Sequence, residues 1–380
     1  MRAVMSFSGG MDSTSVLIRL INEGYKIDCV SFNYGQKHII ELEMAIKNIA
    51  YLKEKGYTIT HKIVDLSSAM SLFHSSLTKD EITVPEGYYE ESQMKSTVVP
   101  NRNAIFSSII YGYALSIVAE EDTDVKIALG VHSGDHAIYP DCRPEFYRDL
   151  ETSFRTGNWD SERVEFYLPF INGDKVTILN DAIKSCEDIE VDFDTIFSNT
   201  ITSYNPDSKG RSSGKSGSDI ERILAFHKLG LRDPIEYADS WNNVLKNALT
   251  TEKKYKDEDY RNRLTEIQYD VTRNSATEHP FTGQYWDEKR EGEYLCICCG
   301  KKLFTSEMKY DSGCGWPSFF SEDEGANIEQ VEDRSHGMYR VEVKCSYCDA
   351  HLGHIFNDGP IHKGGKRYCI NSASLDFNEE

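Results

Sequence analysis

The sequence predicts two domains of different class: an α/β domain built on a parallel sheet, then a smaller, mainly β domain of antiparallel sheets. Three observations carry this. The 380 residues are enough for two cores. Strand-like and helix-like stretches alternate through the first half, the order of a parallel sheet with helices on both faces. From about Lys256 the chain turns aromatic, Gly-rich and Cys-rich, with short runs such as residues 338–345 that alternate like antiparallel strands.

In order, residues 3–7 are a short apolar strand and 13–23 a helix. Residues 28–33 are strand-like, and 40–55 have helical periodicity. A long helical stretch from near Arg102 precedes a strand at 126–130. Residues 205–218, rich in Ser, Gly and Lys, form a loop. Residues 220–229 read as a helix stopped by Gly230 and Pro234. Residues 239–255 look like a polar helical connector. The expected domains are 1–238 and 257–380, with a linker at 239–256.

A formal charge of −20 opposes a general nucleic-acid or anionic-membrane binder but permits a local basic pocket. No apolar run is read as approaching the ~18 residues of a membrane span. Met1 leads straight into a strand without a signal-peptide pattern, so a cytoplasmic protein with no membrane and no direct nucleic-acid partner is expected. Of ten cysteines only Cys29, Cys142 and Cys186 precede residue 290. The crowding of the other seven in a reducing compartment reads as metal binding and catalysis.

Ser8, Gly9, Gly10, Met11, Asp12 and Ser13 lie between strand and helix, flanked by Phe7 and Thr14. Glycines let backbone approach a phosphate, the helix N-terminus holds the anion, and Ser8 and Ser13 add donors. No Walker lysine follows the glycines. The motif resembles that of the N-type ATP pyrophosphatases, which implies a PP-loop, HUP-like α/β fold using ATP and Mg²⁺. Further segments narrow the resemblance: Tyr34-Gly35-Gln36-Lys37-His38, Val99-Pro100-Asn101-Arg102-Asn103, and Tyr139-Pro140-Asp141-Cys142-Arg143-Pro144-Glu145-Phe146. Over about residues 1–238 the chain resembles the 7-cyano-7-deazaguanine synthase (QueC) family. The resemblance implies adenylation of the 7-carboxy-7-deazaguanine carboxylate, amide formation with ammonia, and a second activation that yields the nitrile. It implies ATP at residues 7–14 and Arg102. It places substrate or Mg²⁺ among Gln36, His38, Asn103, Asp141, Arg143 and Glu145, with Asp12 as a further Mg²⁺ candidate. It also implies a homodimer. The adenylation route needs no nucleophile from Cys142, which is read as packing.

The chain departs from that family at one place. The family carries four zinc cysteines late in this domain. Here Ser203, Ser213, Ser216 and Asp219 occupy the frame. Serine hydroxyls are poor zinc ligands, so no zinc is expected in the first domain. The departure leaves three readings of the first half open: a nitrile-forming synthase, a zinc-free ligase attaching a deazapurine acyl group to a protein amine, and a non-catalytic nucleotide-binding module.

In the second half, Cys296-x-x-Cys299 and Cys345-x-x-Cys348 are paired knuckles that predict one tetrahedral Zn²⁺, with Cys298 outside the set. Cys314 and Cys369 remain, a pair of the kind used as nucleophile and resolving partner. Arg367 is placed to stabilise a thiolate, His351 and His354 to move protons, and Trp316 to wall a methyl group. The stretches from TEHPFTGQYWD through DSGCGWPSFF and HLGH to RYCINSAS, over about 264–377, resemble methionine-R-sulfoxide reductases of the B type. That implies attack by Cys369 on the sulfoxide of oxidised methionine in proteins, assisted by His351, His354 and Asn371. Cys314 then closes a disulfide that thioredoxin reduces.

Overall fold

The computed structural model describes residues 1–37, 40–78, 83–88, 92–134, 138–203, 206–207, 209–322, 326–334 and 339–379. It packs as two compact units, Met1–Tyr255 and Lys256–Glu380.

The first unit runs β1 (Arg2–Ser6), α1 (Met11–Asn22), β2 (Lys26–Asn33), α2 (Ile40–Glu54), β3 (Ile59–Asp65), α3 (Ser67–Met70), α4 (Arg102–Glu121), β4 (Val125–Ala128), α5 (Pro144–Gly157), β5 (Val164–Tyr167), α6 (Lys175–Asp188), α7 (Phe193–Ser198) and α8 (Gly217–Lys228). The strands form one parallel sheet in the order β3-β2-β1-β4-β5. Strand β1 is apolar on both faces because both are covered. Ala3 and Met5 pack with Val16, Leu17, Ile178 and Leu179, whereas Val4 packs with Ile110, Ala114 and Ile127. The connection from β1 goes to one side and β4 enters on the other, so the loop after Ser6 lies at the switch point of the sheet, where such folds bind ligands.

One sequence expectation needs correction. The stretch Met94–Glu121 is long and apolar enough to cross a bilayer. Within it, α4 buries Ile110, Tyr111, Ala114, Ile117 and Val118 in the core beneath the sheet. Ile105, Phe106, Ile109, Tyr113 and Leu115 pack partly buried against the same core.

The boundary between the units falls inside α9 (Trp241–Arg263), followed by α10 (Glu266–Asn274). Helix therefore continues past Lys256, into the unit expected to be mainly β. The cause is local: ion pairs Asp257–Arg261 and Asp259–Arg263 lie one turn apart, and Thr265 and Gln268 form a capping box.

Strands begin only at β6 (Gly292–Cys296), then β7 (Lys302–Thr305), β8 (Lys309–Tyr310), β9 (Ser318–Phe319), β10 (Ile328–Asp333), β11 (Arg340–Cys345), β12 (His351–Phe356), β13 (Arg367–Ile370) and β14 (Leu375–Glu379). They form two antiparallel sheets, β10-β11-β12-β13-β9-β8 and β14-β6-β7. Phe304 and Phe319 stack at 4.1 Å in the core with Tyr294 edge-on at 5.1 Å. Such pairs contribute about 1 kcal/mol each beyond area burial.

Candidate active sites and metal centre

The loop after β1 is shaped by glycine. Gly9 has φ +84°, and a Cβ there would lie 2.3 Å from the Glu41 carbonyl oxygen. A Cβ on Gly130 would lie 2.9 Å from the Ser13 nitrogen. Gly10 caps α1 without a side-chain bond, so the first-turn N–H groups are left for a ligand. Gly10 N–H donates to Ser8 Oγ at 3.2 Å, and the Ser8 and Ser13 hydroxyls lie 3.0 Å apart. Ser8, Asp12, Ser13, Arg102 and Asn103 line a cavity of about 220 Å³. Phe7, Met11 and Thr14 are buried in the loop's foundation.

Further residues that sequence reasoning did not assign to this cavity line it, among them the titratable Tyr34, Glu41, Lys175 and Glu221. Lys175 Nζ lies 2.5 Å from Asp12 Oδ2 and 3.8 Å from Glu221 Oε2. Burial opposes ionisation of Asp12, but Lys175 and His132 outweigh it and hold its carboxyl below the usual range. Burial pushes Glu41 up to about 7 despite nearby Arg102. A lysine at the first position of a helix reads along the chain as a solvated charge, so no sequence signal marked Lys175.

Other candidates serve their own segments. The Gln36 amide accepts from Tyr34 N–H at 2.8 Å and donates to the Phe32 carbonyl at 3.3 Å. Asn101 opens α4 in the left-handed region, φ 59°, without capping it. Asp141 supplies that cap from another segment, accepting from Asn103 N–H at 3.3 Å, while the Asn103 amide donates to the Asp141 carbonyl at 3.2 Å. Cys142 is buried beside it and accepts from Asn103 at 3.4 Å. Arg143 is half-buried at the start of α5 and Glu145 is exposed; neither is among the described residues lining the cavity. His38 lies outside the described residues.

The frame of Ser203, Ser213, Ser216 and Asp219 does converge, around a carboxylate. Asp219 is fully buried and accepts from Ser203 Oγ at 3.0 Å, Ser212 Oγ at 2.5 Å, Ser213 Oγ at 3.3 Å and Ser216 N–H at 3.3 Å. Its own N–H donates to Ser216 Oγ at 3.3 Å, completing a capping box for α8. These hydroxyls donate into the carboxylate instead of turning lone pairs on a cation. The donor set does not fit zinc.

In the second unit Cys314, in the loop between β8 and β9, and Cys369, on β13, bring their sulfurs to 3.8 Å. Burial opposes ionisation of Cys314, but hydrogen bonds from Ser312, Ser318 and Cys369 and at the Trp316 backbone hold it below its usual value. Burial and the neighbouring Cys314 push the Cys369 thiol up to about 12, against the pull of Arg367. Arg367 favours the thiolate through its charge and a hydrogen bond, but burial outweighs it. Its guanidinium fork is occupied by Asp358, with both bonds at 2.8 Å, and burial decides the outcome.

His351 and His354 are three residues apart on β12, a spacing that places residues on opposite faces of a regular strand. A bulge opposite Val343–Lys344 breaks the alternation and brings the two rings to 5.3 Å. Glu342 accepts from His351 Nδ1 at 2.6 Å, and Asp333 accepts from His354 Nε2 at 3.0 Å. Burial holds His354 below its usual value despite Asp333. Thr277, Trp316, His354, Phe356, Cys369 and Asn371 line a cavity of about 200 Å³.

Cys296, Cys299, Cys345 and Cys348 place their sulfurs within 4.8 Å of one another, with Cys296–Cys348 and Cys299–Cys345 both at 3.6 Å. A tetrahedral Zn–S centre has sulfur–sulfur edges of about 3.8 Å, so this set fits zinc. The two knuckles share a turn. Cys296 N–H donates to the Lys301 carbonyl and Cys345 N–H to the Ala350 carbonyl, through the left-handed Gly300 and Asp349. Arg263 and Arg273 donate to the Cys298 and Cys348 carbonyls. Cys298 is buried outside the cluster.

The molecule thus joins an α/β unit with a glycine-shaped loop at the sheet's switch point to an antiparallel β unit carrying a dithiol and a four-cysteine centre. The chain belongs to two families: residues 2–230 match the queuosine biosynthesis protein QueC, and residues 264–379 match the SelR domain. It is 42% identical to the 7-cyano-7-deazaguanine synthase of Pseudoalteromonas translucida over 236 residues, 62% of this chain and 98% of that protein. It is 44% identical to the synthase of Caldicellulosiruptor saccharolyticus over 237 residues, 62% of this chain and 96% of that one. The second half is 57% identical to the peptide methionine sulfoxide reductase MsrB of Hahella chejuensis over 125 residues, 33% of this chain and 89% of that one.

Proposed function

We propose a bifunctional enzyme: an ATP-dependent synthase acting on 7-carboxy-7-deazaguanine with ammonia, and a reductase of methionine-(R)-sulfoxide in proteins. Cys369, which lines a cavity walled by Trp316 and has the Cys314 sulfur 3.8 Å away, carries the second half of this reading. With a pKa of about 12, Cys369 keeps its proton at neutral pH until the sulfoxide arrives. Its sulfur attacks the sulfoxide sulfur while the thiol proton passes, by way of His354 or His351, to the sulfoxide oxygen, and the resulting hydroxyl transfers to the Cys369 sulfur as the new S–S bond breaks. Methionine leaves, and Cys369 is left as the sulfenic acid. Cys314 attacks that sulfur, water departs and a disulfide forms, which thioredoxin reduces. Zinc on Cys296, Cys299, Cys345 and Cys348 would tie the two knuckles together.

In the first half, each of two activations converts ATP to AMP and pyrophosphate. The α1 N-terminus, Ser8, Ser13, Arg102 and Lys175 would hold phosphates, and Asp12 is a carboxylate in the cavity that would hold Mg²⁺. The first activation gives an acyl adenylate that ammonia converts to the amide. The second converts the amide oxygen to a leaving group and yields the nitrile. The buried Glu41, titrating at about 7, is suited to accept protons in both steps. The cytoplasm supplies ATP and reduced thioredoxin together.

Two assays test the reading. The chain with ATP, Mg²⁺, 7-carboxy-7-deazaguanine and ammonia should give the nitrile with AMP by mass spectrometry; an amide end product defeats the synthase assignment. With a dithiol reductant it should reduce the R but not the S epimer of methionine sulfoxide.

A further inference from the structure

We infer that Glu278 is a positioning residue that sets the Trp316 wall and Asn371 against Cys369, and so governs how tightly the sulfoxide side chain is held. This rests on the reductase reading above.

Glu278 is 6% exposed, and all four of its polar groups are engaged around the dithiol cavity. One carboxylate oxygen accepts from Ser372 N–H at 2.6 Å and the other from Ala373 N–H at 2.8 Å. These are the free N–H groups of the short 3-10 turn Ser372–Ser374, which follows β13 and its Cys369. The Glu278 N–H donates to Asn371 Oδ1 at 3.1 Å, and its carbonyl accepts from Trp316 Nε1 at 3.1 Å. Asn371 is fixed from its other end by donation to the Leu352 carbonyl at 3.0 Å.

The neighbouring chain makes the segment a bridge between the two cysteines. Phe281 N–H donates to the Gly315 carbonyl at 2.8 Å, one residue past Cys314. Tyr285 N–H donates to Ser372 Oγ at 3.2 Å, and a Cβ on Gly283 would lie 2.6 Å from Glu278 Oε1. Residues 278–285 are thus stitched to the Cys314 loop on one side and to the end of the Cys369 strand on the other. Thr277, immediately before, lines the cavity itself.

The carboxylate matters because it anchors the backbone that holds Trp316 and Asn371. A buried carboxylate gripping two N–H groups is a stronger tether than a neutral side chain. In Glu278→Gln one oxygen becomes an NH₂ facing an N–H donor, so one bond is lost and two donors confront each other. The backbone of residue 278 then loosens, and with it the Trp316 ring.

The test uses the full chain without reductant, following formation of the Cys314–Cys369 disulfide in a single turnover over a range of peptide methionine-(R)-sulfoxide concentrations. Glu278→Gln should raise the half-saturating concentration about tenfold, the scale of one lost charge-assisted hydrogen bond, with the maximal rate within about twofold. Glu278→Asp, which keeps the charge, should recover part of the loss. Trp316→Phe keeps an aromatic wall but removes the bond to the Glu278 carbonyl. It should raise half-saturation similarly, and the double variant should add little beyond either single change. A purely structural role would lower the active fraction and hence the amplitude, leaving half-saturation where it was. That outcome in Glu278→Gln, or in Trp316→Phe if the first variant does not fold, overturns the inference. Failure of the wild-type chain to form the disulfide with sulfoxide defeats the reductase reading itself.

Discussion

The two units each draw four positions to one point and hold them in opposite ways. In the first, Ser203, Ser213, Ser216 and Asp219 converge with the carboxylate at the centre and donors around it. In the second, Cys296, Cys299, Cys345 and Cys348 bring four like sulfurs together. A carboxylate ringed by hydroxyls and an N–H is complete, because every group has a partner of opposite character. Four thiolates repel one another and need a cation. Convergence of four positions therefore gives a self-sufficient hydrogen-bonded node in one unit and a cluster suited to a metal in the other.

The sharpest break of this comparison is Cys345→Ser. Structural zinc contributes roughly 10 kcal/mol or more to folding in small metal domains. The variant should fall from one zinc per chain to almost none by elemental analysis and lose sulfoxide reduction. Retained metal and activity would put the thiol cluster in the same class as the Asp219 node.

Next in size is Lys175→Met. If the first unit's working charge sits at the phosphate loop, AMP formation should fall about 100-fold while sulfoxide reduction stays unchanged. An unaffected rate would remove Lys175 from the phosphate-binding set.

Asp219→Asn should cost the first unit about 2 kcal/mol, because a charged acceptor is replaced by a neutral amide with donors of its own. Urea unfolding followed by a probe in residues 1–255 reads the shift, and added chelator should leave it unchanged. The converse is sharper: cysteines placed together at 203, 213, 216 and 219 should raise zinc from one to two per chain.

The smallest effect concerns the dithiol. Cys314 is the first of the neighbouring charges that raise Cys369, so Cys314→Ser should lower the Cys369 pKa from about 12. At fixed pH between 7 and 9 more thiolate is then present, and alkylation of Cys369 by iodoacetamide should speed up a few-fold, about 0.5–1 kcal/mol in the proton equilibrium. In the wild-type chain Cys314, held below its usual value, should be labelled first. Labelling of Cys369 first would reverse the assignment of which sulfur keeps the proton.

Much of both sites was legible along the chain, and for a definite reason. The phosphate loop, the two cysteine knuckles and the segments around Cys314 and Cys369 are local patterns, and their chemistry follows from residue types at short spacings. The alternation of strands and helices likewise led to the parallel sheet, because each element's apolar pattern states which faces are covered.

Other features depended on contacts between distant segments. Lys175 reaches Asp12 across 163 residues, and Asp141 caps a helix that begins at Arg102. Glu278 meets Ser372 across 94 residues, so its role was invisible even inside a motif that was read. The strand period separates His351 from His354; only the bulge unites them. The opposite shifts of the two thiols also came from their surroundings, since sequence showed only Arg367 near Cys369 and not the burial that outweighs it. Residue order determined which chemical groups are present and which lie within a few residues of one another. Tertiary structure alone decided which are buried, and burial, by withdrawing water from charge, pushes the Cys369 thiol and the Glu41 carboxyl up.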